Sequence, residues 1–163
     1  MSAPAFRYEL RATTVHHPFY KRHNRYTGAY EPKIVEGRGI WDREQQDWRV
    51  EPGMKSEVRW ESVRELNELP PMRAAAVSAK LRKAGHRIAK WNASGMVRGW
   101  GDWSAGAHVE QLDNGTIQVS DRVGRWSKQT PERARELVQQ YAEALQDAGI
   151  PIHMADDGRS FTL

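Results

Sequence analysis

The segment between Glu68 and Asp102 carries the residue types that can bind a polyanion. It contains no acidic residue and seven cationic ones, which are Arg73, Lys80, Arg82, Lys83, Arg87, Lys90 and Arg98. The segment therefore carries a charge of +7, although the whole chain carries only +4. Because cationic side chains bind phosphates and release their counterions, this asymmetry predicts contact with a nucleic acid.

Three tryptophans, Trp91, Trp100 and Trp103, interleave with the last of these cations. Aromatic rings stack on unpaired bases, and a basic helix followed by a strand pair can dock against duplex DNA with the helix in the major groove. We therefore predict a nucleic-acid-binding protein, with DNA favoured over RNA. The predicted binding residues are Arg73, Lys80, Lys83, Arg87, Lys90, Arg98, Trp100 and Trp103.

Two other interpretations of this segment stay open. The cations can form an ordinary solvated helix face whose neighbouring tryptophans fill the core or pair across strands. Alternatively, exposed tryptophans and arginines can bind a host protein, as in an inhibitor or adaptor. Buried Trp100 and Trp103 beside a continuous stripe of cations favour nucleic acid, whereas exposed tryptophans on an apolar patch favour a protein partner.

The remaining motifs do not assemble a catalytic site. "GWGDWSAG" lacks the lysine and hydroxyl residue that follow the last glycine of a phosphate-binding loop, and Ser94 and Ser104 lie outside any G-x-S-x-G turn. There is no acidic cluster for a metal-dependent nuclease, and the absence of cysteine excludes a thiolate site. We therefore expect no enzyme, no cofactor and no metal.

A second basic and aromatic stretch, "HHPFYKRH", begins at His16. Its histidines have no carboxylate or further imidazole at helical spacing, so a metal site is not favoured. The stretch from 16 to 31 has no clear period. It predicts a long loop, which is either a plain surface loop or a second basic and aromatic contact surface.

Length and composition predict one globular domain. A chain of 163 residues can bury roughly 70% of its unfolded surface, and a subdivision into 1–70 and 71–163 is possible. Its 39% hydrophobic content includes no apolar run near 18 residues, and its start has no apolar core of a secretory signal. These features, with zero cysteines, predict a cytoplasmic protein with no membrane partner; oligomeric state stays open.

The element pattern predicts an α+β fold with a mostly antiparallel sheet. "FRYELRAT" alternates like a half-buried strand, and "IVEGRGIWDREQQDWRV" reads as two strands around a polar turn. Ser62 and Glu65 have the spacing of a capping box for a short helix. The two main helices are predicted at about 71–84, ending before Gly85, and at about 131–148, starting at Thr130-Pro131. Between them, Asp113-Asn114-Gly115 predicts a hairpin that places Val109 opposite Val119.

The segments at the ends of the two main helices have similar sequences. "LRKAGHRIAKWNASGMV" and "LQDAGIPIHMADDGRSF" share a leucine, an Ala-Gly helix end and a following strand pair, so they predict a helix-strand-strand repeat. Residues from about 70 to 155, with their D/N-G hairpin and "TPE" helix start, resemble small proteins of actinobacteria and their phages. That resemblance implies a phage or mobile-element accessory protein, and it implies no site residues.

Overall fold

The computed structural model describes residues 5–54, 58–93, 101–124 and 127–163. The fold is α+β, as predicted, and the pairs formed by its named strands are antiparallel. None of the helices in these ranges is long and apolar enough to cross a membrane. In chain order, the elements are β1 Tyr8–His23, β2 Tyr30–Asp42, β3 Asp47–Met54, α1 Trp60–Leu66, α2 Ala74–Lys83, β4 Trp91–Ala93, β5 Gly101–Trp103, β6 Gly106–Gln111, β7 Ile117–Arg122, α3 Pro131–Asp147, β8 His153–Met154 and β9 Ser160–Thr162.

The described chain forms two compact units, each with its own hydrophobic core. The N-terminal unit contains the described residues from 5 to Pro71 together with 113–115. The C-terminal unit contains 72–112 and 116–163, apart from the undescribed residues. The number of independent domains stays a prediction.

The N-terminal unit is a three-stranded sheet, in the order β1-β2-β3, with α1 against one face. Side-chain alternation places Leu10 opposite Ile40, and these residues form a small core with Val58 and Val63. The two strands predicted around a polar turn are present as the end of β2 and as β3. The sheet face under α1 is therefore the one that "FRYELRAT" marks with its alternating apolar residues.

Two local predictions for this unit are wrong. The short helix begins at Trp60, ahead of Ser62, and its N-cap is Arg59, whose side chain makes no capping hydrogen bond. Trp60 is packed against the core, and the Arg38 guanidinium lies 4.0 Å from the centroid of its ring. This packing outweighs the capping-box signal, which contributes only about 1 kcal/mol.

The stretch predicted as a loop from 16 to 31 is mostly strand. β1 continues to His23, and β2 begins at Tyr30. The prediction failed because an alternating pattern appears only when one face of a strand is buried, and most side chains of this stretch are exposed. The backbone pairing of these strands therefore produces no alternation of apolar and polar residues in the sequence.

A buried arginine organises the end of α1. Arg64 is only 2% exposed. Its Nε donates to the carbonyl of Pro70, and its guanidinium also donates to the carbonyl of Gly115 at 3.0 Å. Burial lowers the pKa of the Arg64 guanidinium. Gly115 has φ of +86°, and a Cβ there would lie 2.8 Å from the Arg64 Cα. Only glycine fits both the conformation and the space.

Gly115→Ala tests this close approach, with Gly149→Ala as its matched control. Gly149 also has a positive φ, of +77°, but a Cβ there meets nothing within 4 Å. We expect the control to lower the free energy of unfolding by about 1 kcal/mol, and Gly115→Ala to lower it by roughly 2–4 kcal/mol because a clash is added. Urea unfolding measures both values. Equal losses would contradict the predicted clash.

The C-terminal unit contains a four-stranded sheet, in the order β6-β7-β9-β8, with α2 and α3 packed on its core, and the two-stranded sheet β4-β5. The predicted register is confirmed, since Val109 pairs with Val119. The three-residue hairpin loop is also confirmed, because Leu112 N–H donates to the Thr116 carbonyl at 2.9 Å. α3 begins as predicted: the Thr130 hydroxyl accepts from Arg133 N–H, and Pro131 is the first helical residue.

The two main helices end in the same way. His86 N–H donates to the Leu81 carbonyl after α2, and Ile150 N–H donates to the Leu145 carbonyl after α3, both at 3.0 Å. The intervening Gly85 and Gly149 have φ of +91° and +77°. Beyond the glycines the two copies differ, because Ile88 bridges β6 in parallel whereas β8 pairs with β9 in antiparallel. The repeat therefore holds for the helix ends, and it stays a prediction for the strand pairs.

A candidate nucleic-acid interface

The orientation of α2 is set by two side chains. Val77 and Leu81 are fully buried in the core of the C-terminal unit. Lys80 and Lys83 are exposed beside the buried face that Val77 and Leu81 form, and they are about 60° apart around the helix axis. We call the exposed cations predicted as ligands on this helix and on either side of it the basic stripe; it consists of Arg73, Lys80, Lys83, Arg87 and Lys90.

Most cations of the basic stripe have no acidic partner. Within the described residues, Lys80, Lys83, Arg87 and Lys90 form no ion pair. Cations in the last turn of a helix interact favourably with its dipole, which accounts for some of the charge on α2. The dipole does not require this charge, however, because the last turn of α3 has no basic residue. The α2 cations therefore remain available to an anion.

Backbone pairing positions the cations that follow the helix. Ala107 N–H donates to the Arg87 carbonyl, and Ala89 N–H donates to the Ala107 carbonyl, both at 2.8 Å. Lys90 N–H then donates to the Ser104 hydroxyl at 2.9 Å. Gly106 makes this approach possible, because its φ is +144° and a Cβ there would lie 2.6 Å from the Arg87 carbonyl oxygen. The segment from Arg87 to Lys90 is thus held by its main chain, so its charged side chains are exposed.

Trp103 lies in an aromatic cluster and is half-buried. It pairs across strands with Trp91, at a centroid distance of 5.7 Å, and its ring centroid lies 4.6 Å from that of His108. The Arg122 guanidinium lies 4.8 Å from the same ring centroid. Trp91 is 52% exposed, so it presents more free ring surface than Trp103, although it was not among the predicted ligands. Arg98 and Trp100 lie outside the described residues.

The same cluster shifts the titration of a histidine. Burial, followed by the positive charge of Arg122, lowers the pKa of the His108 imidazole. The Glu110 carboxylate, 3.5 Å from His108 Nε2, acts in the opposite direction and only partly offsets the lowering. His108 is therefore held neutral near pH 7, in contact with the Trp103 ring.

Stability should therefore fall on mild acidification. Below an ordinary histidine pKa of about 6.5, the unfolded chain binds a proton at His108 that the native protein resists, so the free energy of unfolding decreases until the pH passes the lowered native pKa. His108→Gln should reduce the loss between about pH 7.5 and pH 5.5. Urea unfolding at both pH values measures it, with His153→Gln, at an exposed site on β8, as the control. An unchanged loss in His108→Gln would contradict the assignment.

A second group of exposed cations and rings lies on two strands and their turn, where a loop was predicted. We call residues 16–34 the arm; it contains the distal parts of β1 and β2 and their turn. Its exposed side chains include Phe19, Tyr20, Tyr26 and Tyr30. The signal that could have found it is Asn24 and Gly28, a pair of turn residues between two aromatic stretches. Among the described residues, no three His, Asp or Glu side chains are grouped to hold a metal ion.

Comparisons with protein-family models, curated proteins and solved structures found no match. The resemblance to small actinobacterial and phage proteins stays a prediction. Function is therefore inferred from the basic stripe, the aromatic cluster and the arm themselves.

Proposed function

We propose that this protein binds nucleic acid, and DNA in preference to RNA, through the basic stripe. The observation that carries the proposal is the exposure of four cations without an ion pair among the described residues, in a segment that has no carboxylate. The binding is non-enzymatic. An accessory role for a phage or mobile element, in the cytoplasm, is the setting that the sequence resemblance suggests.

The spacing of the stripe matches a helix lying against a duplex. Lys80 and Lys83 are one turn apart, and the exposed surface between the cations of α2 includes the small side chains of Ala75, Ala76 and Ala79. The helix backbone can therefore approach a phosphate chain closely. The major groove of B-DNA, about 12 Å wide, admits a helix, whereas that of A-form RNA is deep and narrow. This difference supports DNA as the partner.

The half-exposed ring of Trp91 supports a second candidate, which is binding to a host protein. Trp91 is 52% exposed, and an exposed tryptophan bordered by arginines is typical of a protein-binding hot spot. The ring that Trp91 contacts, that of Trp103, lies against His108 and Arg122 and not in an apolar patch. We therefore rank nucleic acid first.

A salt series separates the candidates. We expect labelled duplex DNA to bind with a log-log salt slope of about −4 to −5, from roughly 0.9 per phosphate contact. Replacing Lys80, Lys83 and Arg87 with alanine should reduce the slope by about 3 and weaken binding by on the order of a hundredfold near 0.1 M salt. Fluorescence anisotropy measures both values, and circular dichroism checks that the variant is folded.

The matched control removes the same charge elsewhere in the C-terminal unit. Lys128, Arg133 and Arg159 are exposed, so replacing all three with alanine changes the net charge equally without touching the basic stripe. We expect this control to keep most of the wild-type slope. If both triple variants weaken binding to the same extent, only net charge matters and the stripe is not a site. If wild type does not bind, a protein partner becomes the better candidate.

A further inference from the structure

The arm is a two-stranded ribbon that extends past the rest of its sheet. β3 pairs with β2 only as far as Gly37, opposite Met54, so the described residues include no third strand beside the arm. Alternation places His16, Lys21 and His23 of β1 on one face with their partners Ile34, Pro32 and Tyr30 of β2. This is the face that carries Leu10 and Ile40 under α1 nearer the start of β1. The arm thus continues a core-forming face that here remains exposed.

A bulge turns two rings of the arm towards solvent. Between the pairs His16–Ile34 and Lys21–Pro32, β1 has four residues where β2 has one. The His17 Nδ1 atom accepts from the backbone N–H groups of both Phe19 and Tyr20 at 3.1 Å, and this fixes the bulged chain. Phe19 is 86% exposed, and Tyr20 lies 4.5 Å from His17 between ring centroids. Bulges often redirect side chains in this way at functional surfaces.

Hydrogen bonds also define the tip of the arm. The Asn24 carbonyl accepts from Gly28 N–H at 2.8 Å, and the Asn24 side chain accepts from Tyr26 N–H at 2.9 Å. Gly28 has the positive φ, +71°, that closes the turn. Tyr26 is fully exposed at this tip. The backbone that carries this ring is therefore fixed by a defined turn, and the ring itself is open to solvent.

The charge of the arm matches a polyanion. Four cations, Lys21, Arg22, Arg25 and Lys33, accompany a single carboxylate, Glu31, whose oxygen accepts from the Asn24 side chain at 3.0 Å. All four cations are exposed. Among the described residues, none of them forms an ion pair. Exposed rings between unpaired cations are the two components of a single-strand-binding surface.

We propose that the arm binds single-stranded nucleic acid, with Phe19, Tyr20, Tyr26 and Tyr30 stacking on bases and the four cations contacting phosphates. Unpaired bases are required because the bases of an intact duplex are stacked on one another. The inference shares only its class of partner with the proposed function, since the basic stripe and the arm consist of different residues and belong to different units. The two surfaces can therefore be tested by separate variants.

The test uses the full chain and labelled oligothymidylate, oligouridylate and duplex DNA in fluorescence anisotropy. Loss of each stacking ring should weaken single-strand binding by about fivefold to a hundredfold, so Phe19→Ala/Tyr26→Ala should bind both single strands at least about twentyfold more weakly. The control is Ile34→Ala, which removes an exposed apolar side chain from the same arm without removing a ring. It should change affinity less than about twofold, because an aliphatic chain offers no stacking surface.

The proposals for the arm and for the basic stripe can be contradicted independently. If the ring variant binds single strands as wild type does, or if Ile34→Ala loses as much as the ring variant, stacking by the arm is wrong even when the basic-stripe variant loses duplex binding. If wild type binds neither single strand, the arm proposal is also wrong. A dimer, measured by light scattering, that dissociates in the ring variant without any oligonucleotide binding would assign the arm to self-association. Loss of single-strand binding in the ring variant alone, with duplex binding retained, is the expected result.

Discussion

The burial of Val77 and Leu81 decides what α2 can do. These two side chains join the core that α3 and the four-stranded sheet build in the C-terminal unit, and burying each contributes about 1.5–3 kcal/mol. With them inside, the Lys80 and Lys83 side chains lie along the exposed flank. The placement of the cations is thus a consequence of the hydrophobic effect, and their availability is a consequence of the missing carboxylates.

Two glycines determine the path of the chain that follows α2. Gly85 closes α2 with a positive φ, and Gly106 lets the main chain from Arg87 to Ala89 approach β6 without a Cβ between them. In the N-terminal unit, a glycine also allows close approach: Gly115 lies against the backbone of the buried Arg64. At Gly106 and Gly115 the absence of a Cβ allows close backbone contact, whereas Gly85 serves only the positive φ that ends the helix.

The arm has a different energetic basis. A two-stranded ribbon is marginally stable in water by itself, and this one has exposed rings where a core would lie. The His17 bulge and the Asn24 turn supply local hydrogen bonds. They fix the backbone that carries the rings, and a backbone fixed before binding lowers the entropic cost of binding. Because exposed rings contribute little to folding, their exposure on a fixed backbone supports the proposed role of the arm in binding.

The sequence predicted what local chemistry controls. The Thr130 cap, the Asp113-Asn114-Gly115 loop and the Val109–Val119 register follow from capping, turn conformation and alternation, and all three are present. The start of α1 was predicted wrongly because the packing of Trp60 sets it. The strands of the arm were missed because they are set by backbone pairing between strands whose side chains are exposed. The exposure of Lys80 and Lys83 was predictable from the α2 periodicity, whereas that of Arg87 and Lys90, which follow the helix, was not. The environment of Trp103 was not, since Arg122 and His108 reach it from distant positions in the chain.

Nuclear magnetic resonance tests the central claim most directly, since amide shifts report contacts residue by residue. Spectra of ¹⁵N-labelled protein would be recorded during a titration with duplex DNA and, separately, with oligothymidylate. The account predicts the largest shifts for the duplex around Lys80, Lys83 and Arg87, and the largest shifts for the single strand around Tyr20 and Tyr26. Shifts confined to the exposed face of α3, around Gln139 and Glu143, or no shifts with either ligand at saturating concentration, would contradict it.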